Sequence, residues 1–184
     1  RPPFANVMAS GWHLHHSLVG PGGRNAFMRE APSPGSAAHD AAHWLSDTGC
    51  GWLAGLLAHA RGASVFCTST VNGYGRFKPH AMAPVGVLWG RDDRGAMLRV
   101  LGRAGDRGTR IENRAGEPMA NPYLYIAAQV GVNAFAVNYI LENAITRDAA
   151  GATLTDPLFA WYGSVTGAMT PEATAAYVIT IAMV

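Results

Sequence analysis

The chain has little cysteine, little charge and no long apolar run. Its two cysteines, Cys50 and Cys67, lie in apolar contexts without C-x-x-C spacing, so we predict reduced core thiols rather than a disulfide or a zinc site. Only 14% of the residues are charged and the formal net charge is +2, which excludes a strongly basic nucleic-acid binder. We find neither a secretory signal nor a span long enough to cross a bilayer, the apolar tail 177–184 included, and expect a cytoplasmic protein.

Apolar residues are plentiful and predict one globular domain. They make up 49% of the 184 residues, enough for a sizeable core, and no internal repeat divides the chain. Residues 20–36 are rich in glycine, proline and serine and predict a loop. Apolar residues at helical spacing over 40–60 predict one or two helices, with an interruption at the Gly-Cys-Gly of 49–51.

Residues 85–143 predict two strands and a buried helix. Segments 85–89 and 96–101 have strand character and are joined by a turn. Segment 121–143 begins with a proline in the first helical turn and stays apolar for several turns, as a buried helix does. A further helix start is expected at 170, whereas 149–169 has no clear pattern.

The segment from Thr109 to Arg114 concentrates ionisable side chains on one strand face. Because side chains alternate in a strand, Arg110, Glu112 and Arg114 share one side of it. Burial of three ionisable groups is costly unless a polyanion or a metal ion lies against them. A ladder of salt bridges on a solvated sheet is the alternative, and this segment alone does not decide between the two.

The segment from Gly11 to Leu18 favours the metal interpretation. It also alternates, with His13, His15 and Ser17 on one face. Neutral imidazoles two residues apart can both reach one cluster of metal and phosphate. Together with Glu112, these histidines predict a metal site.

These segments belong to an ordered set that resembles the glutamine synthetases and their gamma-glutamyl-amine ligase relatives. The set spans roughly residues 6–140 and is far more specific than any single motif, whereas the resemblance fades after Ile140. The matching blocks are G-x-H-x-H-x-S at 11–17, A-G-L-L-x-H-A at 54–60, T-V-N-G-Y-G-R-F at 70–77 for the family's N-S-Y-K-R, A-P at 83–84, W-G-x-x-x-R-x-x-x-x-R at 89–99, R-I-E-N-R at 110–114 and A-N-P-Y at 120–123.

The resemblance implies an α+β fold and a partial catalytic domain. In the family, a curved and mainly antiparallel sheet carries the site on its inner face, and helices cover its outer face. An N-terminal domain and strands with most of the metal-binding glutamates precede the histidine strand there, so we expect 1–184 to be a fragment or a chain with omissions. Family members form rings with active sites between subunits, and we expect a homo-oligomer, with a dodecamer as the first candidate.

The resemblance also implies a reaction, which is phosphoryl transfer from ATP to the γ-carboxylate of glutamate, followed by attack of an amine on the acyl phosphate. Such chemistry needs Mg²⁺ or Mn²⁺ and cationic groups around the transferred phosphoryl group. By resemblance, the catalytic residues are Arg76, Arg94 and Arg114, and the metal ligands are His13 and Glu112. Glutamate's carboxylates are held by Arg76 and Arg114, and the transferred phosphoryl group is stabilised by Arg94 and Arg99. The nucleotide is contacted by His15, Ser17, Arg107 and Arg110.

The first departure from the family concerns the amino-acid substrate. Before His13 the family has N-G-S-G, whose asparagine and first glycine help to bind glutamate, whereas this chain has M-A-S-G at 8–11. Ser10 and Gly11 stay candidates for substrate binding. The departure leaves open whether the acyl donor is held differently or is itself different.

The second departure is Met82. The family's flap carries a glutamate that takes a proton from ammonium, in a motif Y-E-A-P, and this chain has A-M-A-P at 81–84. A thioether cannot bind ammonium or act as a base, but it can line a pocket for a neutral arylamine. The phrases T-R-I-E-N-R-x-G-E-P and N-P-Y-L-Y-I-A also resemble the gamma-glutamylanilide type. We therefore favour a gamma-glutamyl-amine ligase.

Two alternatives remain. In the first, Met82 only packs in the flap, His80 or another group supplies the base, and the protein is an ordinary glutamine synthetase that uses ammonia. In the second, the fold has lost its activity and serves as a regulatory or structural subunit. His13, Arg94, Glu112 and Arg114 are all present, and this argues against the second alternative.

Overall fold

The computed structural model describes residues 7–79, 81–131 and 178–183, the last of these as backbone only. Strands and helices occur in both halves of the chain. In chain order, the elements are β1 (Leu14–Val19), a 3-10 turn (Pro21–Gly23), α1 (Ala41–Trp44), α2 (Asp47–Ala58), α3 (Ala60–Cys67), α4 (Val71–Tyr74), β2 (Trp89–Arg91), β3 (Leu98–Leu101), β4 (Arg110–Asn113), a helix α5 over 122–131, and β5 (Val178–Met183).

The described strands form one mixed sheet in the order β2-β3-β4-β1-β5. The β2–β3 pairing is parallel, and the other three pairings are antiparallel. The register places His15 of β1 and Arg99 of β3 on either side of Glu112 in β4. Together with the helices, this sheet is compatible with the α+β class, and its register brings one side chain from each of three strands close together.

One face of the sheet packs against helix α2. Strand β1 alternates as predicted, with Leu14 and Leu18 buried and His15 half-buried on the other face. Trp52 and Leu56 of α2 are buried in the same cluster as Leu18, together with Leu98, Val100 and Ile111 of β3 and β4. The polar side chains of the predicted site are therefore left on the face that α2 does not cover.

The predicted helix interruption was placed wrongly. The chain breaks at Leu45 and Ser46, where the Ser46 hydroxyl accepts a hydrogen bond from the Gly49 amide and caps α2. Residues 49–51 lie inside α2 instead. A Cβ atom at Gly49 would lie 3.1 Å from the Leu45 Cβ, so this glycine allows close packing rather than ending the helix.

Several other expectations are confirmed in part. The loop at 20–36 contains only the 3-10 turn and two isolated bridges, although Phe27 within it is fully buried. Segment 96–101 forms β3, but residues 85–88 are not a strand, because Pro84 has no amide hydrogen and Gly86 has little strand preference. Residues 122–131 are helical, but only Tyr125 and Gln129 among them are buried, so the described part of this helix is not buried as predicted. Residues 132–143, the segment 149–169 and the predicted helix start at 170 lie outside the described residues.

Both cysteines are free, as predicted. Cys67 is buried, and this burial raises the pKa of its thiol to about 12. Cys50 is half-buried, and burial raises its pKa as well. In the part of the chain that the structure describes, no helix has the length and apolar character to cross a membrane.

His16 is a fully buried histidine that the sequence patterns did not single out. It lies on the α2 side of β1, where its Nδ1 accepts a hydrogen bond of 3.2 Å from Trp52 Nε1. Burial lowers the pKa of His16 to about 3, and the charge of His15 acts in the same direction. Above about pH 3 the folded protein therefore holds this imidazole neutral.

We expect His16 to make the protein less stable in mild acid. The unfolded imidazole has a pKa of about 6.5, so the unfolded state takes up the proton first, and the stability that is present above pH 6.5 is lost as the pH falls toward 3. Between pH 7 and pH 5 this loss is about 2 kcal/mol. His16→Asn keeps an acceptor for Trp52 without the titration, and its free energy of unfolding should vary less between these two pH values in urea titrations.

The control for this experiment is His39→Asn, because the His39 side chain is 86% exposed. His39→Asn should retain the pH dependence of the wild type. Equal pH dependence in the wild type and His16→Asn would contradict the assignment to His16.

Candidate active site

Glu112 is the centre of a buried polar cluster. Its side chain is 3% exposed, and its Oε1 lies 2.7 Å from Arg114 Nη1 and 2.8 Å from His13 Nδ1. Its Oε2 lies 3.1 Å from Arg99 Nη1, and His15 Nε2 is 4.0 Å from Oε1. Two guanidinium groups and two imidazoles therefore lie within 4.0 Å of one carboxylate.

The strand register explains this cluster. Directly opposed residues in antiparallel strands have Cβ atoms about 4.5–5.5 Å apart, so side chains from both neighbours reach Glu112. Arg114 follows β4 and returns to the same face, two residues along. His13 lies just before β1, and a Cβ atom at Gly11 would be only 2.8 Å from its Nε2, so glycine is needed beside this imidazole.

Glu112 is ionised at neutral pH. Burial alone would raise its pKa, but the hydrogen bond with His13 and the charge of Arg114, with a further contribution from Arg99, outweigh burial and hold the pKa at about 2. Burial lowers the pKa of His15, Glu112 opposes this shift, and Arg110 adds to it. His15 Nδ1 accepts a hydrogen bond of 3.1 Å from Arg110 Nε, so the neutral imidazole carries its proton on Nε2.

Arg76 lies next to the cluster and is 6% exposed. Its Nη2 donates to the carbonyls of Arg114 at 3.1 Å, Ala115 at 2.5 Å and Gly116 at 2.8 Å, and its guanidinium lies 4.7 Å from the centre of the Phe77 ring. Burial lowers the pKa of Arg76. The guanidinium that the resemblance assigns to substrate thus also fixes the backbone that leaves β4.

Arg114 connects the cluster to the segment that contains Met82. Its Nη2 donates to the Met82 carbonyl at 2.9 Å, and its Nε donates to the Arg94 carbonyl at 3.2 Å. Met82 has a positive φ of 52° and a side chain that is 47% exposed. The position at which the chain departs from the family's flap therefore lies against the guanidinium that the resemblance assigns to glutamate.

The structure brings most of the predicted residues together and leaves four at the edge. His13, His15, Arg99, Arg110, Glu112 and Arg114 form one connected network, with Arg76 and Gly11 beside it. Ser17 lies two residues beyond His15 on the same face. Arg94, Arg107 and Ser10 are exposed. The backbone carbonyl of Arg94 accepts from Arg114 Nε, and that of Arg107 accepts from Asn25 Nδ2.

A cavity of about 470 Å³ opens beside Arg76. Its polar lining comes from Ser10, Thr70, Asn72, Arg76 and Glu117, and Met119 contributes apolar surface. A volume of this size with a few convergent polar groups is typical of sites for small ligands.

Two acidic residues contact predicted site residues or their loop, and the sequence patterns did not identify them. Asp92 accepts from Arg99 Nε at 2.9 Å and also contacts Nη2, and these hydrogen bonds hold the pKa of Asp92 below its usual range. Glu117 is 4% exposed and binds the segment that precedes Arg76. The only signals were an aspartate in a predicted turn and a glutamate within the T-R-I-E-N-R-x-G-E-P phrase.

The described residues fit a divalent metal ion in part. His13 and Glu112 supply an imidazole and a carboxylate, which are donors that Mg²⁺ or Mn²⁺ accepts. No group of three or more His, Cys, Asp or Glu side chains is arranged to hold a metal ion within 7–79 and 81–131. These two residues would therefore supply only part of the ligand set of such an ion.

Comparison with known proteins gives the family. The model of the glutamine synthetase catalytic domain matches residues 2–146. The gamma-glutamylanilide synthase of Acinetobacter sp is 47% identical over 124 residues, which are 67% of this chain and 23% of that protein. The glutamine synthetase of Methanocaldococcus jannaschii is 35% identical over 128 residues, which are 70% of this chain and 26% of that protein. The gamma-glutamylethanolamide synthetase of Streptomyces coelicolor is 36% identical over 145 residues, and the match covers 75% of this chain and 28% of that protein.

In length, the chain spans about a quarter of these curated relatives. The family match nevertheless covers most of the chain and includes every residue of the cluster around Glu112. The chain therefore belongs to the glutamine synthetase family, and the match lies in the catalytic domain of that family.

Proposed function

We propose that this protein is an ATP-dependent carbon–nitrogen ligase that activates the γ-carboxylate of glutamate and couples it to an organic amine. The observation that carries the proposal is the convergence of His13, Arg99 and Arg114 on the buried Glu112. Family membership supports the reaction class. A buried anion surrounded by cations and imidazoles is an arrangement suited to holding metal and phosphate charge.

The arginines have distinct tasks in this proposal. Arg114 and Arg76 orient the carboxylates of glutamate, because a guanidinium offers the fork that binds a carboxylate at two points. Arg99, with Arg94 at the rim, stabilises negative charge on the phosphoryl group as it moves from ATP to the γ-carboxylate. When bound at His13 and Glu112, Mg²⁺ or Mn²⁺ would neutralise phosphate charge and fix the phosphate geometry.

The nucleotide is assigned to the β1 side of the site. His15 presents an Nε2–H donor to a phosphate, since Arg110 occupies its Nδ1. Arg110 and Arg107 add positive charge on this side, and Ser17 continues the same strand face toward the ribose or base. ATP phosphates next to Glu112 and a γ-carboxylate next to Arg114 would place donor and acceptor oxygens in neighbouring positions.

We infer that the amine is organic, with an arylamine as the first candidate. Residues 81–84 contain no acidic side chain, so this flap has no counter-charge for ammonium. An arylamine is neutral near pH 7 and gains from apolar surface such as that of Met82. Two of the matched relatives, a gamma-glutamylanilide synthase and a gamma-glutamylethanolamide synthetase, are named for amides of organic amines.

Ammonia is the second candidate acceptor. The glutamine synthetase of Methanocaldococcus jannaschii also matches 70% of this chain. Under this alternative a group other than residue 82 would take the proton from ammonium.

We further infer a cytoplasmic ring-shaped homo-oligomer, with a dodecamer as the first candidate, built on the curved sheet of the family. Large apolar side chains on the surface support an assembly: Val71 is 91% exposed, Tyr123 82% and Met119 74%. Native mass spectrometry of the protein tests this assembly. A monomer at micromolar concentration would contradict it.

We expect the protein to release ADP from ATP only when glutamate, an amine and a divalent cation are all present. A coupled assay for ADP, with one component omitted at a time, measures this dependence. Amine-dependent ADP release without glutamate would contradict the acyl-donor assignment, and a higher kcat/KM for ammonia than for aniline would favour an ordinary glutamine synthetase. No turnover with all components would favour an inactive subunit.

A further inference from the structure

We propose that Glu117 is a positioning residue, which fixes the loop of residues 68–76, here called the Arg76 loop, against the end of strand β4. Through this loop it sets the position of the Arg76 guanidinium. The effect on the acyl donor rests on the proposed function, in which Arg76 holds a carboxylate of glutamate.

The Glu117 carboxyl group binds the start of the Arg76 loop. One oxygen accepts from the Thr70 amide at 2.7 Å and from the Ser69 hydroxyl at 3.3 Å, and the other accepts from the Thr70 hydroxyl at 2.9 Å. The residue is 4% exposed. A carboxyl group taken out of water needs such donors, so these contacts offset the cost of its burial.

The Arg76 loop also donates hydrogen bonds to the segment that contains Glu117. Arg76, at the end of the loop, donates to the three carbonyls of residues 114–116, and Thr68 Oγ1 donates to the Ala115 carbonyl at 2.8 Å. The Glu117 amide donates to the Cys67 carbonyl at 2.9 Å. Each segment thus binds the other through one long side chain. We call these two sets of contacts, made by Glu117 and by Arg76, the clasp.

Gly73 is required by this clasp. Its amide donates to Thr70 Oγ1 at 3.0 Å, which closes the short turn of α4. A Cβ atom at this position would lie 2.1 Å from Glu117 Oε2 and 2.7 Å from Thr68 Cγ2. The turn therefore rests directly on the carboxyl group, and a side chain at residue 73 would displace it.

The clasp concerns the acyl-donor side of the site and not the nucleotide side. Glu117 and Arg76 line the same cavity of about 470 Å³. His15 and Arg110, which the proposed function assigns to the nucleotide, lie on β1 and β4 and hydrogen-bond each other. Loss of the clasp should therefore change how the amino acid is bound and oriented while ATP binding stays the same, because small errors in position at a reacting group are costly.

The first experiment compares Glu117→Ala and Glu117→Gln with the wild-type protein. We expect Glu117→Ala to raise the KM for glutamate about tenfold or more while the KM for ATP changes less than about twofold. Glu117→Gln should lie between them, because its carboxamide oxygen still accepts from the Thr70 amide. Parallel changes in both KM values, or no change in either, would overturn the positioning role.

A second pair of variants tests the contact with Gly73. Gly73→Ala should show the same selective rise in the KM for glutamate, whereas Gly62→Ala, with open space around its Cβ position, is the matched control. Glu117→Asp shortens the side chain, so the Gly73→Ala and Glu117→Asp double variant should recover at least part of the loss. A double variant that is worse than the sum of the two single variants would contradict the contact.

Hydrogen exchange separates this inference from the proposed function. In Glu117→Ala we expect the amides of Thr70 and Gly73 to exchange about tenfold faster than in the wild type, with no such change at His15. Unchanged exchange at Thr70 and Gly73 would overturn the clasp even in an active enzyme. A wild-type protein without glutamate-dependent turnover would overturn the proposed function, and the exchange result would still decide the clasp.

Discussion

The Glu112→Gln variant is expected to turn over at about one hundredth to one thousandth of the wild-type rate. The substitution removes the anionic group that we propose as a metal ligand, and with it the negative charge that contacts His13, Arg99 and Arg114. The amide keeps the size of the side chain but cannot balance two guanidinium groups. Initial rates across a range of Mg²⁺ and Mn²⁺ concentrations measure the effect.

The same variant should also be less stable. Arg114 is 5% exposed, and removal of the charged partner of a buried ion costs about 3–5 kcal/mol. His13→Ala should lose turnover with a much smaller loss of stability, because the His13 side chain is 24% exposed. Comparison of these two variants separates the loss of a metal ligand from the loss of the fold.

Glu30→Gln is the control for the change from carboxylate to amide. Glu30 also pairs with an arginine, Arg24 at 2.8 Å, but its side chain is 64% exposed. Such surface pairs contribute little, so this variant should keep wild-type rate and stability. Near-normal turnover of Glu112→Gln at low metal concentration would contradict the assignment of Glu112 as a metal ligand.

The Met82→Glu variant is expected to shift the ratio of kcat/KM for ammonia to kcat/KM for aniline about tenfold or more toward ammonia. In the wild type, the aniline ring gains about 25 cal/mol per Å² of apolar surface that it buries, while ammonium loses hydration without meeting a counter-charge. A carboxylate at residue 82 offers ammonium an ion pair and a base, and makes an aromatic guest bury an unpaired charge.

Met82→Gln is the matched control, because the positive φ of residue 82 penalises both variants equally and only the charge differs between them. Residue 82 is 47% exposed, so a carboxylate there would stay ionised. A ratio that is the same in the wild type, Met82→Glu and Met82→Gln would show that this position does not select the amine.

The sequence predicted the composition of the site more fully than its geometry. Alternation along 11–18 and 109–114 predicted which face of its strand His15 and Glu112 lie on, because the direction of a side chain in a strand depends on local geometry. The opposition of His15, Glu112 and Arg99 depends on the register of three strands. Register is set by contacts between distant parts of the chain, so no local pattern could give it.

Two further differences between prediction and structure come from packing and from long-range contacts. The Gly-Cys-Gly of 49–51 predicted a helix interruption by propensity, but packing of Gly49 on Leu45 overrides the cost of a glycine in the helix. Glu117 was not predicted, because a single glutamate in a loop has the same pattern as a solvated surface charge. Its partner Thr70 lies 47 residues away in the sequence, so only the fold brings them together.

The transfer of oxygen from glutamate to phosphate tests the central claim most directly. The γ-carboxylate oxygen that takes the phosphoryl group becomes the bridge of the acyl phosphate, and it leaves with phosphate when the amine attacks the carbonyl carbon. With glutamate labelled with ¹⁸O in the γ-carboxylate and aniline as the amine, we predict that mass spectrometry finds one ¹⁸O atom in each phosphate released. Unlabelled phosphate at full turnover would contradict activation of glutamate as an acyl phosphate.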